Sequence, residues 1–299
     1  MSLVGKHILI TGASRGLGQQ LARYFWDNGA NLLLVSKNVD LLHHALDGLS
    51  VRHGQKTSYF SCDFADESSL ESLVEDLKDF RIDAVINNAA IQGPIGSLSD
   101  NPWEDWKQTI QVDLLAPIFL CRAFVPQLLA QENGGSIINL SGGGATGPRA
   151  NFTAYATAKA GLVRFSETLA EELKNSMIRV NCVAPGAMQT DMLEEVIKAG
   201  ISAAGEKEFN AAEKMVSQQV SSFLRVAKLC EFLVLEKSKG ISGKLISATW
   251  DPWEKFEHFA NGLQNSDIAT LRRIVPEDRG KSWDELGEKT ALPLNGKSH

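Results

Sequence analysis

The stretch ILITGASRGLGQQLARYF, Ile8 to Phe25, reads as three pieces joined without spacers. The apolar run Ile8–Ile10 shows no polar alternation, the character of a strand buried on both faces. Gly12, Gly16 and Gly18 then form a turn, and the run from Leu17 to Phe25 has the spacing of an amphipathic helix. A strand, a Gly-rich turn and a helix in this order let backbone N–H groups at a helix N-terminus meet a pyrophosphate closely. The spacing is G-x-x-x-G-x-G rather than the commoner G-x-G-x-x-G. Glycines also serve plain turns, but the strand–turn–helix context favours nucleotide binding.

Outward from this unit the pattern repeats. HILITG, NLLLVS, TSYFSCD, DAVINNA, GSIINLS, IRVNCVAPG and GKLISATW read as seven strands, and helix-length amphipathic segments lie between them, including one over Asn38–Gly54 and one continuous helix over Trp103–Glu132. Alternating strands and helices imply right-handed crossovers, so the expected fold class is α/β: a single Rossmann-type, doubly wound parallel sheet with helices on both faces. No linker or repeat breaks the alternation. One catalytic and dinucleotide-binding domain is therefore expected over 1–249. Residues 250–299 form an extension expected to pack on the same domain, with its last residues mobile. Met188–Gln218 is helical, Ala/Glu/Lys-rich and interrupted by AGISAAGEKE.

Composition narrows the function. With 43% hydrophobic and 22% charged residues the chain can bury a sizeable core, and its net charge of −6 disfavours a phosphate-backbone partner, so no nucleic-acid partner is expected. No uninterrupted run of 18 apolar residues occurs and the N-terminus enters a strand at once, so neither a membrane nor a cleaved leader is expected. Cys62, Cys121, Cys182 and Cys230 are widely spaced and form no Cys/His cluster. They read as buried thiols of a cytoplasmic protein, with no metal site.

Four motifs in order, TGASRGLG, NNAA at Asn87–Ala90, Tyr155-x-x-x-Lys159 and PGAMQT at Pro185–Thr190, resemble the single-domain branch of the short-chain dehydrogenase/reductase family over roughly residues 3 to 248. The resemblance implies an oxidoreductase that moves hydride between a nicotinamide cofactor and a carbonyl/alcohol pair on a small molecule. It implies a homodimer or homotetramer, paired through the long middle helix and the Tyr155 helix. Cofactor contacts are expected from Gly12, Ser14, Arg15, Gly16, Leu17 and Gly18 in the first turn. Ser36, Lys37 and Asn38 follow the second strand. Asp63 matches the residue that meets the adenine amine, although an N-cap role shared with Asp66 is an alternative. Asn88, Ala89 and Ala90 lie beside the ribose, with Ala90 where the family has Gly. Pro185, Gly186 and Thr190 face the nicotinamide.

The end of the second strand carries no carboxylate for a ribose 2′-hydroxyl. Ser36 and Lys37 stand there, with Arg15 in the turn, and cations attract a 2′-phosphate, so NADP(H) is expected over NAD(H). Tyr155 and Lys159 share one helix face. The resemblance makes Tyr155 the acid/base and Lys159 both its activator and a ribose contact, and a nearby ammonium is expected to lower the phenol's pKa.

Two positions depart from the family. Asp113 stands where a relay Asn is usual, and an ionised carboxylate cannot donate as an amide does. The usual active-site Ser lies thirteen residues before the Tyr, where this chain has Gly142; its neighbour Ser141 is the candidate replacement if the flexible Gly142–Gly144 turn displaces it, against strand parity. Thr146 and Thr153 are other hydroxyl donors. Two rival readings stay open: a dinucleotide-binding regulatory protein weakened in catalysis, and a nucleotide-sugar epimerase or dehydratase. The aromatics Trp250, Trp253, Phe256 and Phe259 either fasten the extension to the body or wall a substrate pocket.

Overall fold

The computed structural model describes residues 3–218 and 223–283. Seven parallel strands form one sheet in the order β3-β2-β1-β4-β5-β6-β7: β1 His7–Thr11, β2 Asn31–Ser36, β3 Thr57–Ser61, β4 Ala84–Asn87, β5 Gly135–Leu140, β6 Ile178–Ala184 and β7 Lys244–Ser247. The seven runs read as strands are these seven. The central strands β4 and β5 are buried along their whole length, which explains why they lack polar alternation. The order reverses between β1 and β4, leaving a crevice at the carboxyl ends of those strands.

Helices cover both faces. On one, α1 (Gly16–Asp27) and α9 (Phe223–Val234) pack together over the sheet, burying Leu21, Phe25, Leu229 and Leu233. Full burial of a side chain such as Phe25 stabilises the fold by about 1.5–3 kcal/mol. On the other, α3 (Glu67–Leu77) and α5 (Ala116–Leu129) enclose Leu70, Leu73, Leu120 and Phe124. Beside them α6 (Thr153–Glu172) packs along β6.

Two expected helices come out differently. The one over Asn38–Gly54 is a short α2, Val39–His43, followed by turns. Arg23 donates to the carbonyls of Ala45 and Asp47, at 3.1 Å each, so those acceptors are taken from a continuing helix. Gly48 then turns left-handed at φ +78°. The long middle helix is wound in three parts: α4 (Trp103–Ile110), a π-helical turn at Gln111–Leu115, and α5. Pro117 has no N–H to give the Asp113 carbonyl, and the Ala116 N–H bonds back to Gln111 instead. The span Trp103–Leu129, which holds an 18-residue window of mean hydropathy 1.6, is long and apolar enough to cross a membrane, a test that core helices of soluble proteins also pass. Here its inner face is packed in the core shared with α3.

After β6 come α7 (Asp191–Ala204), bent at Gly200, and α8 (Glu206–Gln218). After β7 the chain turns through Trp253–Lys255 into α10 (Phe256–Gln264). It then returns along the open edge of β7. The Leu245 N–H donates to the Ala269 carbonyl at 2.8 Å, and Lys244 Nζ donates to the carbonyls of Ser266 and Ile268 at 2.8 and 3.0 Å. The last residues, 291–299, whose mobility the sequence leads one to expect, lie outside the described residues.

Candidate active site

A cleft of about 910 Å³ opens at the carboxyl ends of β1, β4, β5 and β6. One half is the glycine turn before α1. Gly18 has to be glycine, since a Cβ there would lie 2.1 Å from the Gly12 carbonyl oxygen. The turn is held from β4: Asn88 Nδ2 donates to the Thr11 carbonyl at 2.9 Å, and the N–H groups of Asn88 and Ala89 both donate to Thr11 Oγ1 at 3.0 Å. No side chain caps α1 and its first turn carries no acid. Its leading N–H groups therefore face the cleft without a partner side chain, as an anion cradle requires. This fits a dinucleotide's pyrophosphate, with Gly12, Ser14, Gly16 and Leu17 lining the cradle and Ala90, Pro185, Gly186 and Thr190 lining the cleft further in.

At the outer end of the cradle Ser36 Oγ donates to Ser14 Oγ at 2.8 Å. The two expected phosphate cations already have carboxylate partners. Lys37 Nζ is 2.7 Å from Asp63 Oδ2, and Arg15 Nη1 is 2.5 Å from Asp191 Oδ2. The Lys37 hydrogen bond holds the Asp63 carboxyl below its usual pKa, against partial burial. All four groups are well exposed, so both pairs are weak in water and exchange readily with another anion. Asp66, not Asp63, caps α3. Asn38 caps α2, accepting from the Leu41 N–H, and does not line the cleft.

The inner half of the cleft holds a buried charged cluster. Tyr155 and Lys159, one turn apart on α6, are 8% and 2% exposed, and Asp113 on the π-turn is fully buried. Lys159 Nζ lies 3.4 Å from Asp113 Oδ2 and donates to the Leu140 carbonyl at 3.2 Å. Asp113 Oδ1 accepts from the Ile91 N–H at 2.9 Å. Burial raises the Asp113 pKa, while Lys159 opposes the rise. Burial also works against the charged form of Lys159, but Asp113 and Tyr155 outweigh it and its pKa rises. The Tyr155 pKa is raised as well, chiefly by burial. Lys159 and Arg149 pull it down and Asp113 pushes it up. This corrects the expectation drawn from Lys159 alone: burial first, and then Asp113, outweigh the lysine's field, and the phenol is held protonated.

The glycine trio stands directly against this cluster. A Cβ built on Gly142 would lie 2.2 Å from Tyr155 Oη, so Gly142 is the position that faces the phenol. Ser141 keeps strand register, its N–H donating to the Val183 carbonyl at 2.8 Å, and its buried Oγ has no hydrogen-bond partner. Thr153 Oγ1 accepts from Trp106 Nε1 at 3.3 Å, whereas Thr146 lines the cleft.

Several lining residues were not read from the sequence. Gln92, 4% exposed, has an Nε2 without a partner. Arg149 lies beside Gly143 and Gly144 and reaches Glu208 on α8. Trp250, read from the sequence as a fastener or a pocket wall, is 85% exposed and stands at the cleft. A lone cation in the otherwise small-residue loop 141–151 was the available signal for Arg149. Nothing local announces Glu208.

Residues 6–200 match the family model for short chain dehydrogenases. The chain belongs to the short-chain dehydrogenase family. It is 29% identical over 250 residues to an uncharacterized oxidoreductase, YxbG, of Bacillus subtilis strain 168, covering 82% of this chain and 90% of that protein. It is 30% identical over 247 residues to the 3-oxoacyl-(acyl-carrier-protein) reductase of Chlamydia muridarum, covering 82% and 96%. Among solved short-chain dehydrogenase-like folds, an NAD+-bound xylitol dehydrogenase superposes with a TM-score of 0.72 at 25% identity, covering 83% of this chain and 98% of that one. The oxidoreductase YciK of E. coli gives 0.68 at 25%, covering 82% and 96%. The family membership makes this chain an oxidoreductase with a Rossmann-type nucleotide-binding fold.

Proposed function

We propose that the chain is an NADP(H)-dependent oxidoreductase that interconverts a carbonyl and an alcohol, with Tyr155 as the acid/base and Lys159 as its activator. The single observation that carries this reading is the buried Tyr155–Lys159 pair, backed by Asp113, in the same cleft as the uncapped α1 terminus. A bound nicotinamide would supply or accept the hydride. A protonated Tyr155 is suited to donate to a carbonyl oxygen as reduction proceeds. Lys159, kept charged by Asp113, favours the phenolate that follows.

The preference for NADP(H) rests on Arg15, Lys37 and Ser36 at the outer end of the cradle, where β2 offers no carboxylate. The solved xylitol dehydrogenase holds NAD+, so the choice depends on these side chains rather than on the fold. Four buried free thiols support a reducing, cytoplasmic setting. Exposed Trp103, Leu115 and Leu129 on the middle helix support pairing of copies there. The bare Gly142 position favours a second reading, a dinucleotide-binding protein of weakened catalysis.

Titration of Tyr155→Phe with NADPH, alongside turnover over a panel of ketones, oxo acids, sugars and polyols, separates the two readings. The oxidoreductase requires turnover by the wild type that Tyr155→Phe loses while keeping its NADPH affinity. A wild type that binds NADPH yet turns over every substrate as slowly as Tyr155→Phe supports the second reading.

A further inference from the structure

A cation lies beside the bare loop Gly142–Gly144. A Cβ on Gly143 would sit 3.8 Å from Arg149 Cδ and 3.9 Å from its Nε, and one on Gly144 would sit 3.3 Å from Arg149 Cβ. The arginine stem therefore lies in van der Waals contact with the Gly143–Gly144 half of the turn, while the Gly142 half faces Tyr155. Its guanidinium is laid on the ring of Phe152, with Cζ 3.7 Å from the centroid, and stands 5.7 Å from the centroid of Tyr155. Phe152 is fully buried, so the stacking surface is fixed. Glu208 Oε2 accepts from Nε at 2.8 Å. Nη1 and Nη2 have no hydrogen-bond partner among the described residues, though the side chain is only 15% exposed. Stacking and one carboxylate thus fix the plane of a fork whose two amino groups are left for a ligand, and the residue lines the cleft that contains Tyr155.

We propose that Arg149 anchors a carboxylate of the substrate, so that the substrates are oxo acids and the corresponding hydroxy acids; this rests on the oxidoreductase reading above. A planar fork matches a carboxylate with two parallel charge-assisted hydrogen bonds, about twice as strong as neutral ones. The closeness of Arg149 to Tyr155 places that carboxylate a few bonds from the reacting carbon. Lys207, on the same cleft wall as Glu208, offsets the glutamate's repulsion of an incoming anion. A neutral ketone would leave the two amino groups to water and forgo the paired charge-assisted bonds, which is how such a site discriminates.

The test uses the full-length NADP+-loaded protein and a series of 2-, 3- and 4-oxo acids with their methyl esters. Binding is followed by calorimetry, and turnover with NADPH in parallel. The best acid should bind at least tenfold more tightly than its ester. Arg149→Met should abolish that preference while leaving ester affinity within about threefold. Glu208→Gln, which breaks the ion pair but keeps the guanidinium, should retain the preference. Equal binding of acid and ester, binding of neither, or loss of both in equal measure in Arg149→Met and Glu208→Gln overturns the assignment and leaves Arg149 as a strut between the loop and α8. Acid-selective, Arg149-dependent binding without any turnover would instead uphold the anchor and sink the oxidoreductase reading.

Discussion

Gly142 and the Tyr155 hydroxyl occupy one place: a Cβ on the glycine would lie 2.2 Å from Oη. Gly142→Ser, which restores the hydroxyl usual in the family, should therefore push Tyr155 aside rather than assist it. Overpacking of this kind costs about 1–3 kcal/mol. Turnover should fall by tenfold or more, with a lower melting temperature and an unchanged NADPH affinity. Ser141→Ala removes a buried hydroxyl that has no partner. It should leave the melting temperature equal or higher and turnover within about threefold. A steep loss of turnover in Ser141→Ala would show that the serine reaches the substrate after all.

Asp113 sets the proton affinity of its neighbours. It raises the pKa of both Tyr155 and Lys159. Asp113→Asn removes that field, so both values should drop. Reduction needs the protonated phenol, and the alkaline limb of its kcat/KM profile should move to lower pH. Oxidation, which needs the phenolate, should gain its activity at lower pH in the same variant. Profiles recorded in both directions check the sign, and an unmoved limb would mean that Asp113 acts only in positioning.

The outer cradle decides the cofactor. Arg15→Ala and Lys37→Ala should each weaken NADPH binding about tenfold, near the lower end of the roughly 1.5–3 kcal/mol of a charge-assisted contact, because Asp191 and Asp63 compete for the same cations. NADH affinity should barely change. Fluorescence titration of both cofactors reads this directly, and tighter binding of NADH by the unmodified protein would refute the preference.

The tail aromatics divide into two kinds. Trp253 is 5% exposed, packs against Phe232 at 6.3 Å between centroids, and donates from Nε1 to the Ala248 carbonyl at 3.2 Å. Trp253→Ala should cost about 3–5 kcal/mol. Trp250 is 85% exposed at the cleft. Trp250→Ala should leave stability within about 0.5 kcal/mol and raise KM severalfold. Thermal melts and steady-state kinetics on the two variants check the division.

Folded thiols should be inert. Burial pushes Cys62 up to about 11 and Cys121, Cys182 and Cys230 up to about 12. Since the thiolate is the reactive form, none of the four should react with a disulfide reagent at pH 8 until denaturant is added. Rapid labelling of the native protein would count against their burial.

What the chain determined by itself is what neighbouring residues decide among themselves. Short runs between helix-length segments specified seven strands, several of them apolar without alternation as the covered central strands are, and the turn from Gly12 to Gly18 announced the cradle before α1. The four-residue step from Tyr155 to Lys159 placed both on one helix face. Even locally, competition was invisible: Arg23 takes the carbonyls that would have prolonged α2, and Pro117 widens the middle helix at Asp113. Only the tertiary structure decided the rest. It paired Arg149 with Glu208 across 59 residues, gave Lys37 and Arg15 their carboxylate partners, and buried Tyr155 beside Lys159 and Asp113, so that burial first and Asp113 second keep the phenol protonated against the lysine's pull. The physical reason is that hydrogen-bonding period and backbone freedom act over a few residues and leave a pattern in the sequence. Charge, burial and the direction of a side chain are settled by whatever the folded chain brings within a few ångströms, and that has no period to read.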